Sequence, residues 1–362
     1  MKKAEIITYH FVPNYGAVLQ VYALQKILRQ YVDNVEILDY RPKAINSTYA
    51  PINTNTIKSL ISTILSLPSY LNKRSKFRLF EKEYLNLSKN RYEVSKDIVG
   101  LDADYVFLGS DQVWNFEITD GFDPVYFGRI KESKASKVIS YAASLGKGTL
   151  SQGEITIFEE ALRNVDSISV REREAANLLT QCTDKNIEVV LDPTLLLSKE
   201  EWNVIPSNAN YGEYVLLYTL ADYKETREMA KKIAEYKGIK VIEISGKRKN
   251  IKHKYSHTVL YNAGPIEFLS LIKNAEFVVT DSFHGTAFSV NFNKQFVTIP
   301  HKTRGGRMLG LLQKLNLEHR LTEVFQETLC SEKIEFDQAN ALLESERNIS
   351  IKFIERSLRG DN

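Results

Sequence analysis

The stretch VVTDSFHGTAFSV, residues 278–290, runs from an apolar strand through a few polar residues into a helix. Its one histidine, His284, stands at the handover. An imidazole there can pass a proton near neutral pH, or it can be a packed, satisfied core group. Asp281 or Ser282 can cap the helix, and Gly285 lets a ligand approach the backbone. FLGSDQVWN (107–115) crowds Ser110, Asp111, Gln112, Trp114 and Asn115 behind a second apolar strand. A carboxylate beside an indole and amides suits a carbohydrate, with the sugar ring stacked and its hydroxyls hydrogen-bonded. The plainer reading of Asp111 is a helix N-cap.

Three further segments carry candidate ligands. In PNYGAVLQ (13–20), Asn14, Tyr15 and Gly16 form a strand-to-helix turn that could hold an anion or a sugar hydroxyl, or be an ordinary turn. With one glycine it lacks the dinucleotide fingerprint GxGxxG. SVRE ends a strand on Arg171, whose guanidinium can fork onto a carboxylate or phosphate. HKTRGGR (301–307) sets Arg304 and Arg307 around two glycines, which suits a phosphate or a plain surface loop. His253 and His257 have metal-ligand spacing, but the surrounding lysines and arginines repel a cation. No CxxC or GxSxG occurs. No metal site, organic cofactor or Ser-His-Asp hydrolase is therefore expected.

These segments lie where apolar runs of strand length give way to helical patterns. Strands are expected near 4–10, 34–40, 104–110, 137–144, 167–172, 187–193, 213–220, 239–245, 276–281 and 295–300. Alternation of strand and helix argues for parallel sheets covered on both faces. It pauses at the polar segment 198–212, which reads as a linker. The expected architecture is α/β, with two Rossmann-like domains facing across a cleft and a C-terminal helix, near 336–359, returning to the first domain. The expected boundaries are 1–205, with a helical insertion at about 41–100, then 206–330, then a helical segment 331–362. Within the insertion, Ile57, Leu60, Ile61, Ile64 and Leu65 make one apolar stripe on a short helix expected to end at Pro68. Lys73, Arg74, Lys76 and Arg78 follow. That pairing is what a weak membrane-surface contact needs, although the stripe can as simply pack on the first domain.

Composition narrows the class. Of 362 residues, 43% are hydrophobic and 26% charged, as in a folded globular chain. Lys+Arg exceed Asp+Glu by 48 − 45 = 3, too few for a nucleic-acid partner. No signal-peptide core and no run of about 18 apolar residues occurs, so a cytoplasmic location is expected, peripheral at the inner membrane face if the stripe binds there.

Taken in order, NYGAVLQVYALQ, FLGSDQVWN, ISYAASLG, SVRE, LDPTLLL and TDSFHGTAFSVNFNKQFVTI resemble the polysaccharide pyruvyl transferase family, from about residue 4 to residue 320. The resemblance implies a GT-B-like fold. It also implies transfer of a pyruvyl group from phosphoenolpyruvate to the hydroxyls of a sugar or lipid-linked oligosaccharide, as in capsule synthesis, with a ketal formed and phosphate released. It places the catalytic histidine on His284 and donor-binding arginines on Arg171 and Arg307. Where many members carry an arginine two residues before the histidine, this chain has Ser282. Arg304 or Arg307 would then substitute as the anion clamp, or the donor differs. Phosphoenolpyruvate is a donor substrate here rather than a cofactor. Its C3 needs a general acid, and a carboxylate across the cleft, for which Asp111 is the candidate, would take the hydroxyl proton. Two alternatives remain open: a GT-B glycosyltransferase using a nucleotide sugar, and a non-catalytic carbohydrate-binding relative.

Overall fold

The computed structural model describes residues 1–48, 57–206, 211–221, 223–245, 258–300 and 306–360, with 46–48 and 57–66 as backbone only. Seven parallel strands among them form one sheet: β1 (Lys3–Ile7), β2 (Asn34–Tyr40), β3 (Leu87–Tyr92), β4 (Tyr105–Leu108), β5 (Lys137–Ala143), β6 (Ser167–Val170) and β7 (Ile187–Val189). Five form another: β8 (Tyr214–Tyr218), β9 (Lys240–Ile244), β10 (Thr258–Leu260), β11 (Phe277–Thr280) and β12 (Gln295–Thr298). The first sheet has the order β3-β2-β1-β4-β5-β6-β7, and the second β10-β9-β8-β11-β12. Central strands such as YVFL, YVLLY and FVVT are buried throughout, as a parallel sheet covered on both faces requires.

In each sheet the chain starts in the middle, builds outward to one side, then crosses back to build the other. The reversal falls between β1 and β4 in the first sheet and between β8 and β11 in the second. Loops leaving the carboxyl ends of those strand pairs diverge, which is where open α/β sheets bind ligands.

Contacts divide the chain into two units: Met1–Ala50, Glu81–Leu197 and Glu344–Asn362 form the first, and Pro51–Phe80 with Ser198–Leu343 the second. The expected boundary after 205 thus falls after 197. The short helix Lys199–Trp202 explains the move, because Trp202 is buried edge-on against Phe288 of the second unit, with ring centroids 5.1 Å apart.

The expected insertion at 41–100 is divided as well. Its helix does not end at Pro68 but runs through it, Ile57–Tyr84. Phe77 and Phe80 are buried, and Lys76 pairs with Glu267 of the second unit. Downstream, the polar β3 joins the edge of the first sheet.

The C-terminal helix, Phe336–Arg359, is likewise shared rather than a separate segment. Its last turns lie on the first unit. The Ser350 hydroxyl accepts the Leu191 N–H at 2.9 Å, and Arg356 bonds both carboxylate oxygens of Glu188.

Candidate functional site

In the first unit, the helix Tyr15–Leu28 starts directly after the β1 turn. Asn14 is its N-cap, accepting the Ala17 N–H at 3.4 Å. Asn14 is half-buried, and Tyr15 and Gly16 are buried. Inside this largely buried helix, Gln20 ties the two diverging strand ends together. Its amide donates to the Thr8 hydroxyl at 3.0 Å and accepts the Ser110 N–H at 3.2 Å.

At the end of β4 the chain turns sharply. Gly109 has φ +106°, and a Cβ there would lie 2.6 Å from the Tyr141 carbonyl oxygen, so only glycine fits. Asp111 follows at φ +75° and Ala142 on the adjacent strand sits at φ +49°, both in the left-handed region that L-residues avoid. Such outliers persist where the surroundings hold them, and they concentrate at functional edges.

A buried polar network does the holding. Arg171, at the end of β6, donates through Nε to Glu172 at 3.0 Å and through a terminal nitrogen to Asp192 Oδ2 at 2.7 Å. Asp192 caps the short helix Pro193–Leu196 through Thr194, and it also accepts from the Ser110 hydroxyl at 3.4 Å. Glu172 accepts from the Ser144 hydroxyl at 3.0 Å. Burial alone would lower the Arg171 pKa, but Glu172, Asp192 and Asp111 outweigh it and keep the guanidinium charged, above its ordinary value.

Arg171 was expected to clamp the donor anion. Its guanidinium is instead engaged by two carboxylates within its own unit. Ser110, expected to touch an acceptor, is fully buried and bonds the Ala142 carbonyl and Asp192. Trp114 is no sugar platform: it is fully buried, stacked on Phe127 at 5.5 Å, and its Nε1–H donates to the Tyr126 carbonyl at 3.0 Å. Asn115 is the buried N-cap of the helix Phe116–Thr119. Asp111 is not a helix cap. It remains half-exposed, with Oδ1 accepting the N–H of Gln112 at 2.9 Å.

His10, which the sequence reading passed over, is fully buried at the end of β1. Its Nε2 lies 3.0 Å from Asp39 Oδ1 and its Nδ1 3.3 Å from the Thr8 carbonyl. Asp39 also meets Arg41, which in turn meets Glu81. Burial would raise the Asp39 pKa, yet hydrogen bonds from His10 and Arg41 hold it below its ordinary value.

In the second unit, Ser282 is the N-cap of the helix Phe283–Asn291, its hydroxyl accepting the Gly285 N–H at 3.4 Å. It also donates its own N–H to the Thr280 hydroxyl at 3.0 Å. This accounts for the serine: an arginine at 282 would forfeit the cap. The role of Gly285 is packing rather than ligand approach, since a Cβ there would lie 2.3 Å from Thr280 Oγ1. Asp281 is buried and locks the neighbouring strand end, accepting from the Thr219 hydroxyl at 2.6 Å and from the Leu220 N–H at 2.7 Å.

These contacts fix the backbone around His284, which is half-exposed in the first turn of the helix, where free N–H groups gather. Arg307 is half-buried in the helix Gly306–Lys314, which packs against Phe283–Asn291. Arg304, His253 and His257 lie outside the described residues. Among the described residues, no group of His, Cys, Asp and Glu could hold a metal ion, and no helix is long and apolar enough to cross a membrane.

A family model described as polysaccharide pyruvyl transferase matches residues 14–303, a span that takes in the strand reversal of the second sheet and His284. No curated protein matches the sequence. Among solved structures, the Staphylococcus aureus MnaA–UDP complex is similar at 13% identity and a TM-score of 0.53, covering 99% of this chain and 97% of that one. UDP-GlcNAc 2-epimerase from Neisseria meningitidis, bound to UDP-GlcNAc, is similar at 10% identity and a TM-score of 0.50, covering 99% and 100%. Likeness at that identity concerns the fold, which is α/β, two-domain and GT-B-like.

Proposed function

Because the chain belongs to the polysaccharide pyruvyl transferase family, we propose that it moves a pyruvyl group from phosphoenolpyruvate onto two hydroxyls of a sugar in a surface polysaccharide or its precursor. The observation that carries this reading is the place of His284, half-exposed in a helix first turn at the strand reversal of the second sheet.

Protonated His284 gives its proton to C3 of the donor, which leaves positive character at C2. One sugar hydroxyl adds to C2 and loses its proton. The C2–O bond to phosphate then breaks, and phosphate carries off that electron pair. The second hydroxyl adds to C2, loses its proton and closes the ketal. Asp111, a half-exposed carboxylate just past the end of β4, is the group proposed to accept a hydroxyl proton. Ser282 supplies no cation on the donor side. The anion therefore falls to the N–H groups of the helix Phe283–Asn291, to Arg307 and to Arg304.

The test is phosphate release from phosphoenolpyruvate in the presence of a panel of hexosides, for the wild type and for His284→Gln. Loss of a general acid should slow release by roughly 10²–10⁴-fold with the melting temperature unchanged. A folded His284→Gln protein releasing phosphate at the wild-type rate would overturn the assignment. A melting temperature raised by UDP-sugars and not by phosphoenolpyruvate would favour a nucleotide-sugar transferase instead.

A further inference from the structure

The helix Ile57–Tyr84 has 28 residues, a rod of about 40 Å at roughly 1.5 Å per residue. One side of it is committed to the protein. Phe77 and Phe80 are buried, Lys76 pairs with Glu267, and the Lys73 ammonium lies 5.6 Å from the Phe77 ring centre. Arg74 is half-buried, 3.5 Å from the Tyr70 hydroxyl. Most of the basic cluster that follows the apolar stripe is therefore turned inward.

The opposite side carries three large apolar side chains in the open: Leu67 is 39% exposed, Leu71 54% and Leu79 52%. Arg78 and Lys82 are exposed beside them. At about 100° per residue, these five fall within roughly 120° of arc. A single exposed leucine is ordinary, whereas three on one face with two cations form a patch.

We propose that this face docks on an anionic lipid surface. The interleaving of the charges argues for that occupant. An apolar protein groove that took the leucines would have to desolvate Arg78 and Lys82 with them. A second copy of the same face would bring like charges together, since Glu83, the face's one exposed acid, stands at its margin. At a bilayer surface the leucines enter the acyl boundary while the long cationic side chains reach up to headgroup phosphates. The inference is independent of the pyruvyl-transfer reading.

The experiment is sedimentation of the full chain with vesicles of phosphatidylcholine alone and of phosphatidylcholine mixed with phosphatidylglycerol, at low and high salt. Binding should appear with the mixed vesicles at low salt and weaken as salt screens it. In Arg78→Ser/Lys82→Ser, each cation removed should lower partitioning about fivefold. Leu67→Ser/Leu71→Ser/Leu79→Ser should bind far less than the wild type at either salt. All five side chains are exposed, so circular dichroism and melting temperature should not change. If the leucine variant nonetheless loses its fold, the charge variant decides. Absence of binding to anionic vesicles at low salt, or equal binding by wild type and folded variants, would overturn the proposal. So would self-association abolished by the leucine substitutions without any lipid binding, which would assign the face to a second copy.

Discussion

Glu5→Gln should make the first unit more stable in alkali and leave it unchanged in acid. Glu5 sits in the central strand β1, with its side chain 2% exposed. Its Oε1 has no hydrogen-bond partner. Lys3 Nζ is 3.8 Å from the other oxygen but prefers Glu36, at 2.8 Å. Burial therefore dominates and pushes the carboxyl up to about 7; Lys3 pulls it down and Glu36 adds to the rise. A carboxyl raised in the fold binds protons more tightly there than in the unfolded chain. Its contribution is fully present below the unfolded value near 4.5 and is lost as pH rises through about 7. At about 1.4 kcal/mol per pH unit, the ionised fold is weaker by about 3 kcal/mol. Glutamine keeps the shape and removes the charge. Urea unfolding of the two proteins should differ by about 3 kcal/mol near pH 8 and by less than about 0.5 kcal/mol near pH 4.5. An offset that is the same at both pH values would refute the reasoning, because it would mean that Glu5 ionises in the fold as readily as in water.

Arg171→Ala should destabilise the first unit by roughly 3–5 kcal/mol, because Glu172 and Asp192 would be left buried without their cation. Thermal and urea melts check this. A folded variant with wild-type stability and lost phosphoenolpyruvate binding would restore Arg171 to the donor site. Gly285→Ala should cost about 1–3 kcal/mol through its collision with Thr280, read from the unfolding of the second unit.

The strands were legible because buried parallel strands are continuous apolar runs. FVVT and YVLLY are such runs, buried at every position. The polar edge strand β3, LSKNRY, was not legible. It pairs on one side only and keeps a largely open surface, so its residues carry no burial pattern. The reach of the helix beyond Pro68 was hidden for a different reason. Proline forfeits one backbone bond, and the tertiary contacts of Phe77, Phe80 and Lys76 outweigh that loss where local propensity reads a stop. Two members of the first-unit edge, His10 and Gln20, carry a weak signal in the sequence: a polar residue inside an apolar segment. Their partners, Asp39 and Ser110, lie 29 and 90 residues away, and spacing cannot pair them.

A crowd of polar residues at a strand end marks an edge rather than a contact list. Where two parallel strands diverge, their terminal N–H and carbonyl groups lose the sheet's hydrogen bonds, and being buried they must be satisfied by something else. Ser110, Asn115, Asp192 and Asp281 are used in that way, each bonded to backbone or to a neighbouring strand end. Arg171 balances the carboxylates this demands. Residues of the same types would also suit a sugar or a phosphate, so composition cannot separate the two uses. Accessibility does. His284 and Asp111 are half-exposed as residues, although the Nε2 of His284 is itself buried, while the groups that fix their backbone are buried. A rigid, internally satisfied edge around a half-exposed side chain is what a proton-transfer group needs, because orientation is then settled before the substrate arrives. On the proposed reading, the residues that the sequence nominated and the structure buried serve the site as its frame rather than as its contacts. Substituting them should cost stability before it costs chemistry.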